Sequence, residues 1–479
     1  MMVMPMYLFP ILYIAFFFLS LRYLFKGEYK GILLFIIFGL PIYTIALSVS
    51  NMYGFSRIIP VLQSLKEFSI LCYLAYLFFN LTKKVHFHSI DKLMLVFFGY
   101  VLLYVFLPIG SYGFFQRVLA FKSLCFFPVV YFTGRIIDAR KINISEVFHY
   151  IGLLSILAGA VVLFEVITNT HLQTYSGYAD YNFYFFDQEP AGDYDLSWTF
   201  QIENGMKRFA SFFSAPLEYA AATLISLSAV AALVTNNQNR LRFSNFTILF
   251  LASTVLGISL ALSRASFASF FVIVYAYLVI TQKKQLLKIF HYSVIAAIAF
   301  FLLVSIEGDF FEFIINTVQF TNASSVGHVI EWLNGIESMA ASPLGIGLGE
   351  SGRISAFSGT NTGGENQFII IGVQAGIIAL AIYITVYVKL LKAAAQTFKN
   401  RKGKIRKLSL FIFLLKLGLF IPLFTAEVES YIYISYLVWF LSGLLVNMLS
   451  EKNVVQTKLF TRGTKVPKIN QDDNTGSPL

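Results

Sequence analysis

Two arginines stand where apolar runs meet polar sequence. Arg208 lies in GMKRFASFFSAPLEYA, just before the run that opens at Pro216. Proline suits the first turn of a helix, and Ser214 or Ala215 would cap it. Arg264 lies in LALSRASFASF, between two apolar runs with almost no connection. A guanidinium at either place could hold a phosphate through two parallel hydrogen bonds, and together they would form a two-pronged clamp for a pyrophosphate. The plainer alternatives are an Arg208 that snorkels at an interface and an Arg264 held in a structural salt bridge.

Glu365, in GGENQF, directly precedes the run IIIGVQAGIIALAIYI. A carboxylate partly desolvated at such an edge has a raised pKa and can act as a general base; the alternative is a carboxylate that favours a helix N-terminus. Asn366 reads as a cap or polar positioner, and Glu218, in the first turn after Pro216, chiefly as a helix-dipole partner. Arg117 and Lys122 fall inside FFQRVLAFKSLCFF, where a charge is costly unless paired or functional. Arg117 is about a turn from the boundary and can snorkel; Lys122 is deeper, with Glu165 as a structural partner. His328 starts HVIEWLNGIESM, in which Val329, Trp332, Leu333 and Ile336 would share one helix face lying on a membrane surface. PLGIGLG follows as a turn with accessible backbone amides, a weak phosphate signal by itself. Tyr178, Tyr181, Phe183–Phe186, Tyr194 and Trp198 alternate with Asp180, Asp187, Glu189, Asp193 and Asp195. That segment suits either sugar binding or a lid; calcium-loop spacing is absent from it.

The elements that must position these residues are membrane helices. The chain is 57% hydrophobic, 17% aromatic and only 13% charged, which excludes disorder and an ordinary soluble enzyme. Runs long enough to span recur at about Pro5–Leu21, Gly31–Ser50, Phe68–Leu81, Leu93–Ile109, Phe114–Gly134, Val147–Thr168, Pro216–Val234, Phe246–Leu262, Ala265–Thr281, Phe290–Ile306, Gln367–Leu391, Leu408–Phe424 and Tyr431–Leu449. The fold expected is therefore all-α and polytopic, with about thirteen transmembrane helices. Residues 1–168 would hold the N-terminal membrane helices, 169–215 an aromatic-acidic outer loop and 216–306 the central helices. A large outer loop with a surface helix follows at 307–366, the C-terminal helices at 367–449, and a disordered cytoplasmic tail at 450–479. Met1 to Pro5 carries no Lys or Arg, so the first run is expected to stay as a membrane helix. Cys72 and Cys125 lie in apolar runs, which supports neither a disulfide framework nor a thiolate metal site; no metal and no cofactor are expected.

The net charge of +11 is distributed by topology. Lys and Arg crowd the connections near Lys26, Lys83, Arg140, Arg240, Lys284 and Lys399–Lys407 and the tail; the opposite side has Arg57, Lys66, Arg117, Lys122, Lys207, Arg208, Arg264 and Arg353. That asymmetry predicts a cytoplasmic C-terminus and an N-terminus outside, with both long loops outside, and it removes nucleic acid as a partner.

The LSRAS turn resembles the SRG-type motif of the O-antigen ligase and Wzy-type polysaccharide polymerase superfamily. HVIEWLNGIESMAASPLGIGLG followed by GGENQFIIIGVQAGIIAL resembles that family's outer loop, glycine turn and HN-x-x-L entry to the next span, and RFASFFSAPLEYAAA its first arginine segment. The similarity runs from about Arg208 to Leu391. The resemblance implies a metal-independent, inverting GT-C-type glycosyltransferase in a bacterial cytoplasmic membrane. It would act on undecaprenyl-pyrophosphate-linked oligosaccharide donor and acceptor, with a chain-length regulator and a flippase as partner proteins. Arg208 and Arg264 would hold the pyrophosphate. Glu365 stands where the family commonly has His, and His328 where a loop Arg is common, so the base would be a carboxylate and one phosphate contact would be either missing or taken over by Arg353. Asn366, Lys122 and Arg117 complete the candidate substrate-binding set. These departures favour a polymerase over a ligase; a transporter is the other alternative, which Lys122 and Lys416 would support.

Overall fold

The structure, a computed structural model, describes residues 6–81, 86–202, 206–304, 323–356 and 362–462. The expected tail beyond 462 and residues 305–322 of the second long loop lie outside it. Among the described residues the elements are helices, joined by loops with two isolated bridges, Gln201 to Lys207 and Thr235 to Leu241. The first half comprises α1 (Leu8–Phe25), α2 (Lys30–Leu34), α3 (Tyr43–Met52), α4 (Ile59–Phe79), α5 (Ser89–Phe106), α6 (Phe114–Cys125), α7 (Phe127–Ile136) and α8 (Ile144–Thr168). Two short helices of the first long loop, α9 (Leu172–Tyr175) and α10 (Tyr178–Phe186), precede α11 (Pro216–Val234), α12 (Asn245–Ala261), α13 (Arg264–Ile280) and α14 (Lys284–Val304). Then come α15 (Ala323–Ala341), α16 (Arg353–Ala356), α17 (Gln367–Asn400), α18 (Lys404–Leu419), α19 (Pro422–Thr425) and α20 (Ile432–Arg462).

Each expected span falls on a helix as far as it is described. Eight helices are long and apolar enough to cross a bilayer alone, and ten spans result if each of two bent pairs is one span. Two further apolar helices, α12 and α13, are 17 residues each, so length alone does not confirm the expected count of thirteen. Leu262 turns into the left-handed region (φ 47°), ending α12, and the Ser263 hydroxyl caps α13 through the Ser266 N–H. The LSRAS turn thus clips both helices. The bent pairs have their own causes. A π turn at Phe35–Gly39 and Pro41 separate α2 from α3 at 62°, and Pro128 opens α7 after a 50° bend from α6.

The most deeply buried spans are α11 and α20. Glycine lets α20 approach α7 backbone to backbone: a Cβ on Gly134 would sit 2.0 Å from the Phe440 carbonyl, and one on Gly443 2.0 Å from that of Tyr131. Asp91 ties α5 to α7 by pairing with Arg135 at 3.1 Å and accepting from Tyr131 at 2.6 Å. The basic connections gather at one end of the bundle. Lys404 donates to the Ala139 carbonyl at 2.7 Å, Lys407 to Ser145 at 3.1 Å, Arg406 to Asn236 at 2.8 Å, and Lys141 to Gly27 at 3.0 Å.

A third break lies within α17, at Gly376 (φ 81°, ψ 173°). The PLGIGLG turn fills it. Ile377 N–H donates to Pro343, Ile346 N–H to Val373 and Gly347 N–H to Gln374, at 2.9, 2.8 and 3.3 Å. Gly349 N–H donates to the Gln374 side chain at 2.9 Å, which itself donates to Ser351 at 2.8 Å. The accessible amides expected of this turn are consumed by the helix, which corrects the phosphate-loop reading. The backbones meet so closely that a Cβ on Gly376 would lie 2.5 Å from the Leu344 carbonyl carbon. Gly376→Ala is both sterically blocked and strained at positive φ, and should cost about 2 kcal/mol or more. It would be read as a lower midpoint of thermal unfolding in detergent; an unchanged midpoint would show that the break tolerates a side chain.

Candidate active site

A cavity of about 550 Å³ lies where the broken spans open. The α2–α3 break supplies Leu40, Tyr43 and Thr44, and the α6–α7 bend supplies Lys122, Ser123, Phe126 and Phe127. Gln63, Lys66 and Glu67 come from α4, and Ser214 and Glu218 from the start of α11. Over these, α10 lays Tyr178, Tyr181, Asn182 and Phe186. Arg353, Glu365, Glu427, Glu429 and Tyr431 complete the lining.

Ionic contacts organise one wall. Glu67 lies between Lys66 at 3.2 Å and Lys122 at 2.9 Å. Lys66 also donates to Tyr43 at 3.0 Å and to the Gln63 carbonyl at 2.6 Å. This corrects the expected Lys122–Glu165 pair. Glu165 instead accepts the N–H groups of Leu172 and Ser211, both at 2.9 Å, anchoring the first long loop.

On the opposite wall, the Arg353 N–H donates to Glu427 Oε2 at 2.8 Å, and its guanidinium lies 5.6 Å from the centre of the Phe186 ring. Burial pushes the Glu427 carboxyl up to about 7 despite that hydrogen bond and the Arg353 charge. Glu429 accepts from Trp439 Nε1 at 2.8 and 2.9 Å, Tyr383 at 2.8 Å and Ser435 at 2.6 Å, and its own N–H donates to Gln367 at 3.0 Å. Glu218 accepts from the backbone N–H of Ser214 at 3.2 Å and from its hydroxyl, so helix α11 is capped from its third residue backward.

Glu365 faces the cavity, and the protein around it raises its carboxyl above the usual range by burial, against the pull of His328 and Arg353. His328 Nδ1 lies 3.6 Å from Glu331, which raises the imidazole above its ordinary value; burial and Arg264 oppose that shift and Glu365 adds to it. His328 thus feels the charges of both Glu365 and Arg264 at the join of α15 and α17. Glycines allow this join: a Cβ on Gly364 would meet Glu331 at 2.1 Å, and one on Gly335 would meet Ile369 at 2.2 Å. The outward apolar stripe of α15 is Val326, Ile330, Leu333 and Ile336; Trp332, expected on it, is half-buried.

The remaining sequence candidates divide. Arg353 and Lys122 line the cavity. Asn366 caps α17, its side chain accepting from Phe368 and Ile369 at 3.0 and 3.2 Å. Arg117 donates to the Leu107 carbonyl and stays outside the cavity lining. Arg208 and Arg264 also stay outside that lining. They are linked all the same: the Phe209 N–H donates to Leu260 at 3.2 Å, fastening the Arg208 segment to the end of α12 beside the LSRAS turn. Lys416 is packed on Trp439, 3.5 Å from the ring centre, and on Tyr387 at 4.7 Å, rather than lining the main cavity. The aromatic-acidic segment divides too: Tyr178, Tyr181 and Phe186 line the cavity, while Asp180, Asp187, Glu189, Asp193 and Asp195 do not.

The Lys66–Glu67 pair and the Glu427/Glu429 pair escaped the sequence reading. Adjacent charges in LQSLKEF, beside an apolar run, and two carboxylates in TAEVES just before the last span were the available signals.

Residues 247–384 match a family model described as O-Antigen ligase. Over 278 residues, 56% of this chain and 66% of the relative, the sequence is 24% identical to a Salmonella muenchen protein named "O-antigen polymerase". The match thus spans just under two thirds of that relative's length. The chain is a polytopic helical membrane protein, and both matches point to the O-antigen ligase and polymerase superfamily that its LSRAS and GGENQF segments resemble.

Glu67→Ala would leave the buried Lys66 and the cavity-facing Lys122 without their shared partner. Removing one member of such a pair costs about 3–5 kcal/mol where burial is complete, so a marked drop in the unfolding midpoint in detergent is expected. A variant as stable as the parent would show that the lysines repack.

Proposed function

We propose that this protein is a polysaccharide polymerase that joins undecaprenyl-pyrophosphate-linked repeat units on the outer face of a bacterial cytoplasmic membrane. The observation that carries the reading is a tyrosine- and carboxylate-lined cavity whose wall includes Arg353 and Glu365 of the segment that matches the O-antigen ligase model. Tyrosine rings pack against sugar faces while carboxylates accept their hydroxyls. Arg208 and Arg264 hold the donor pyrophosphate at the rim and stabilise its developing charge. An acceptor hydroxyl attacks the donor's anomeric carbon in one displacement, without a metal, and the configuration there inverts. Glu365 assists the deprotonation. The N-terminus lies outside and the C-terminus in the cytoplasm, which puts the cavity outside and the clustered basic connections inside. A flippase supplies the lipid-linked units, and a chain-length regulator works beside the polymerase.

A ligase that transfers finished glycan to lipid or protein is the second reading, favoured by the description of the matching family model. A transporter of lipid-linked glycan would use broken spans at its site, as here. A gel of surface polysaccharide from a deletion strain separates the three. Single repeat units mark a polymerase, intact unattached polymer a ligase, and intracellular accumulation a flippase. Arg208→Ala or Arg264→Ala should lower chain extension by about 100-fold or more with protein levels intact; normal long chains in either variant would refute the clamp. Glu365→Gln with full activity would remove Glu365 from the chemistry.

A further inference from the structure

The carboxylates that line the cavity are held to different degrees. Glu67 is shared by two lysines through Oε1, Glu218 accepts from Ser214, and Glu429 accepts from Trp439, Tyr383 and Ser435. Glu365 feels the charges of His328 and Arg353. Glu427 is held through one oxygen. Its Oε2 is fixed by the Arg353 N–H at 2.8 Å, while Oε1 has no hydrogen-bond partner among the described residues.

The backbone around Glu427 is also rigidly set. Val428–Ser430 form a single 3₁₀ turn in which the Ser430 N–H and hydroxyl both donate to the Glu427 carbonyl, at 3.0 and 2.7 Å. Two residues on, the Glu429 network clamps that turn to α17 and α20. Gly352 leaves room for the carboxylate, since a Cβ there would stand 3.0 Å from Glu427 Oε2. A carboxylate with one oxygen pinned, the other free and its backbone braced is a preorganised acceptor for a proton.

We propose that Glu427 is a second catalytic carboxylate of this site, taking the proton of the acceptor hydroxyl while Glu365 keeps that hydroxyl oriented. The inference rests on the glycosyl-transfer reading above. In the step, the acceptor oxygen forms a bond to the donor's anomeric carbon. The bond from that carbon to the pyrophosphate oxygen breaks, and its electron pair leaves with the lipid pyrophosphate. The hydroxyl proton moves to Glu427 Oε1 and is later lost to water. Glu427 lies outside residues 247–384, so it would be an acid–base group that the matched segment does not contain.

The test uses the full-length protein in detergent or vesicles, with lipid-linked single repeat units extracted from the deletion strain. A base acts when ionised, so the parent rate should rise with pH through about 7. Glu427→Gln can still accept the Arg353 N–H and should keep the thermal midpoint. It should extend chains about 100-fold or more slower, and the rise near pH 7 should vanish. If the parent protein makes no polymer, the glycosyl-transfer reading falls and the role of Glu427 falls with it. If the parent extends chains and Glu427→Gln matches its rate, or is slower with the rise near pH 7 intact, the role of Glu427 alone is overturned. Should the Gln variant be unstable, Glu427→Asp keeps a carboxylate and must keep the pH rise; its loss there would overturn the proposal.

Discussion

A helix that breaks inside hydrocarbon must hand its freed backbone groups to something other than water. The break at Gly376 is met by the chain itself, because the Pro343 carbonyl accepts from Ile377 and the Val373 carbonyl accepts from Ile346. That contact fixes the second long loop against α17. It sets the register of everything on either side: α15 upstream, and the Ser351–Arg353 segment downstream through Gln374. Ser111 extends the anchor by donating to Glu350 at 2.5 and 2.7 Å from its N–H and hydroxyl. Arg353 and Glu365 are therefore presented to the cavity by a plug, and a plug has one fitted position where a free loop would have many.

The cavity depends on the other two breaks. Continuous helices at α2–α3 and α6–α7 would close the space with backbone; bending them by 62° and 50° opens it and turns Tyr43, Lys122 and Phe126 inward. Polar side chains then become affordable at a depth where they would otherwise cost several kcal/mol. Glu67 is shared by Lys66 and Lys122, and Glu429 is satisfied by donors from α17 and α20. Among the described lining residues, five carboxylates (Glu67, Glu218, Glu365, Glu427, Glu429) face three cations (Lys66, Lys122, Arg353). Like charges a few ångströms apart repel by about 4 kcal/mol at the effective dielectric of a protein surface. On the proposed reading, such a cavity would suit a neutral sugar better than a pyrophosphate, with the arginines at its rim.

Hydropathy carried most of the architecture. Pro216–Val234 was legible to the residue because Pro216 opens the helix and the run behind it is uninterrupted. The breaks and ends of the spans were not legible, since a window of apolar residues does not register a π turn at Phe35 or a left-handed Leu262. Arg353, Glu365 and Lys122 could be singled out because a charge beside an apolar run is conspicuous. Their companions could not, because pairing is a matter of three-dimensional packing: Glu67 and Lys122 are far apart in the chain yet 2.9 Å apart in space. PLGIGLG misled for the same reason. Its glycines answer to the backbone of α17, a neighbour that the local sequence does not reveal.

The matched segment, 247–384, holds Arg264, His328, Arg353 and Glu365, whereas Lys66, Glu67, Lys122, Glu218, Glu427 and the α10 lid lie outside it. The cavity is thus assembled from two parts of different standing. On the proposed glycosyl-transfer reading, the handling of a lipid pyrophosphate would fall to the matched part, and the other walls would meet the hydroxyl pattern of the glycan. Glu427 sits on the boundary of this division: it lies outside the matched segment, but its Oε2 is held by the backbone of Arg353 within it. A residue so placed can link the identity of the acceptor to the timing of its deprotonation, because any sugar that shifts Arg353 must also shift the carboxylate that the Arg353 N–H holds.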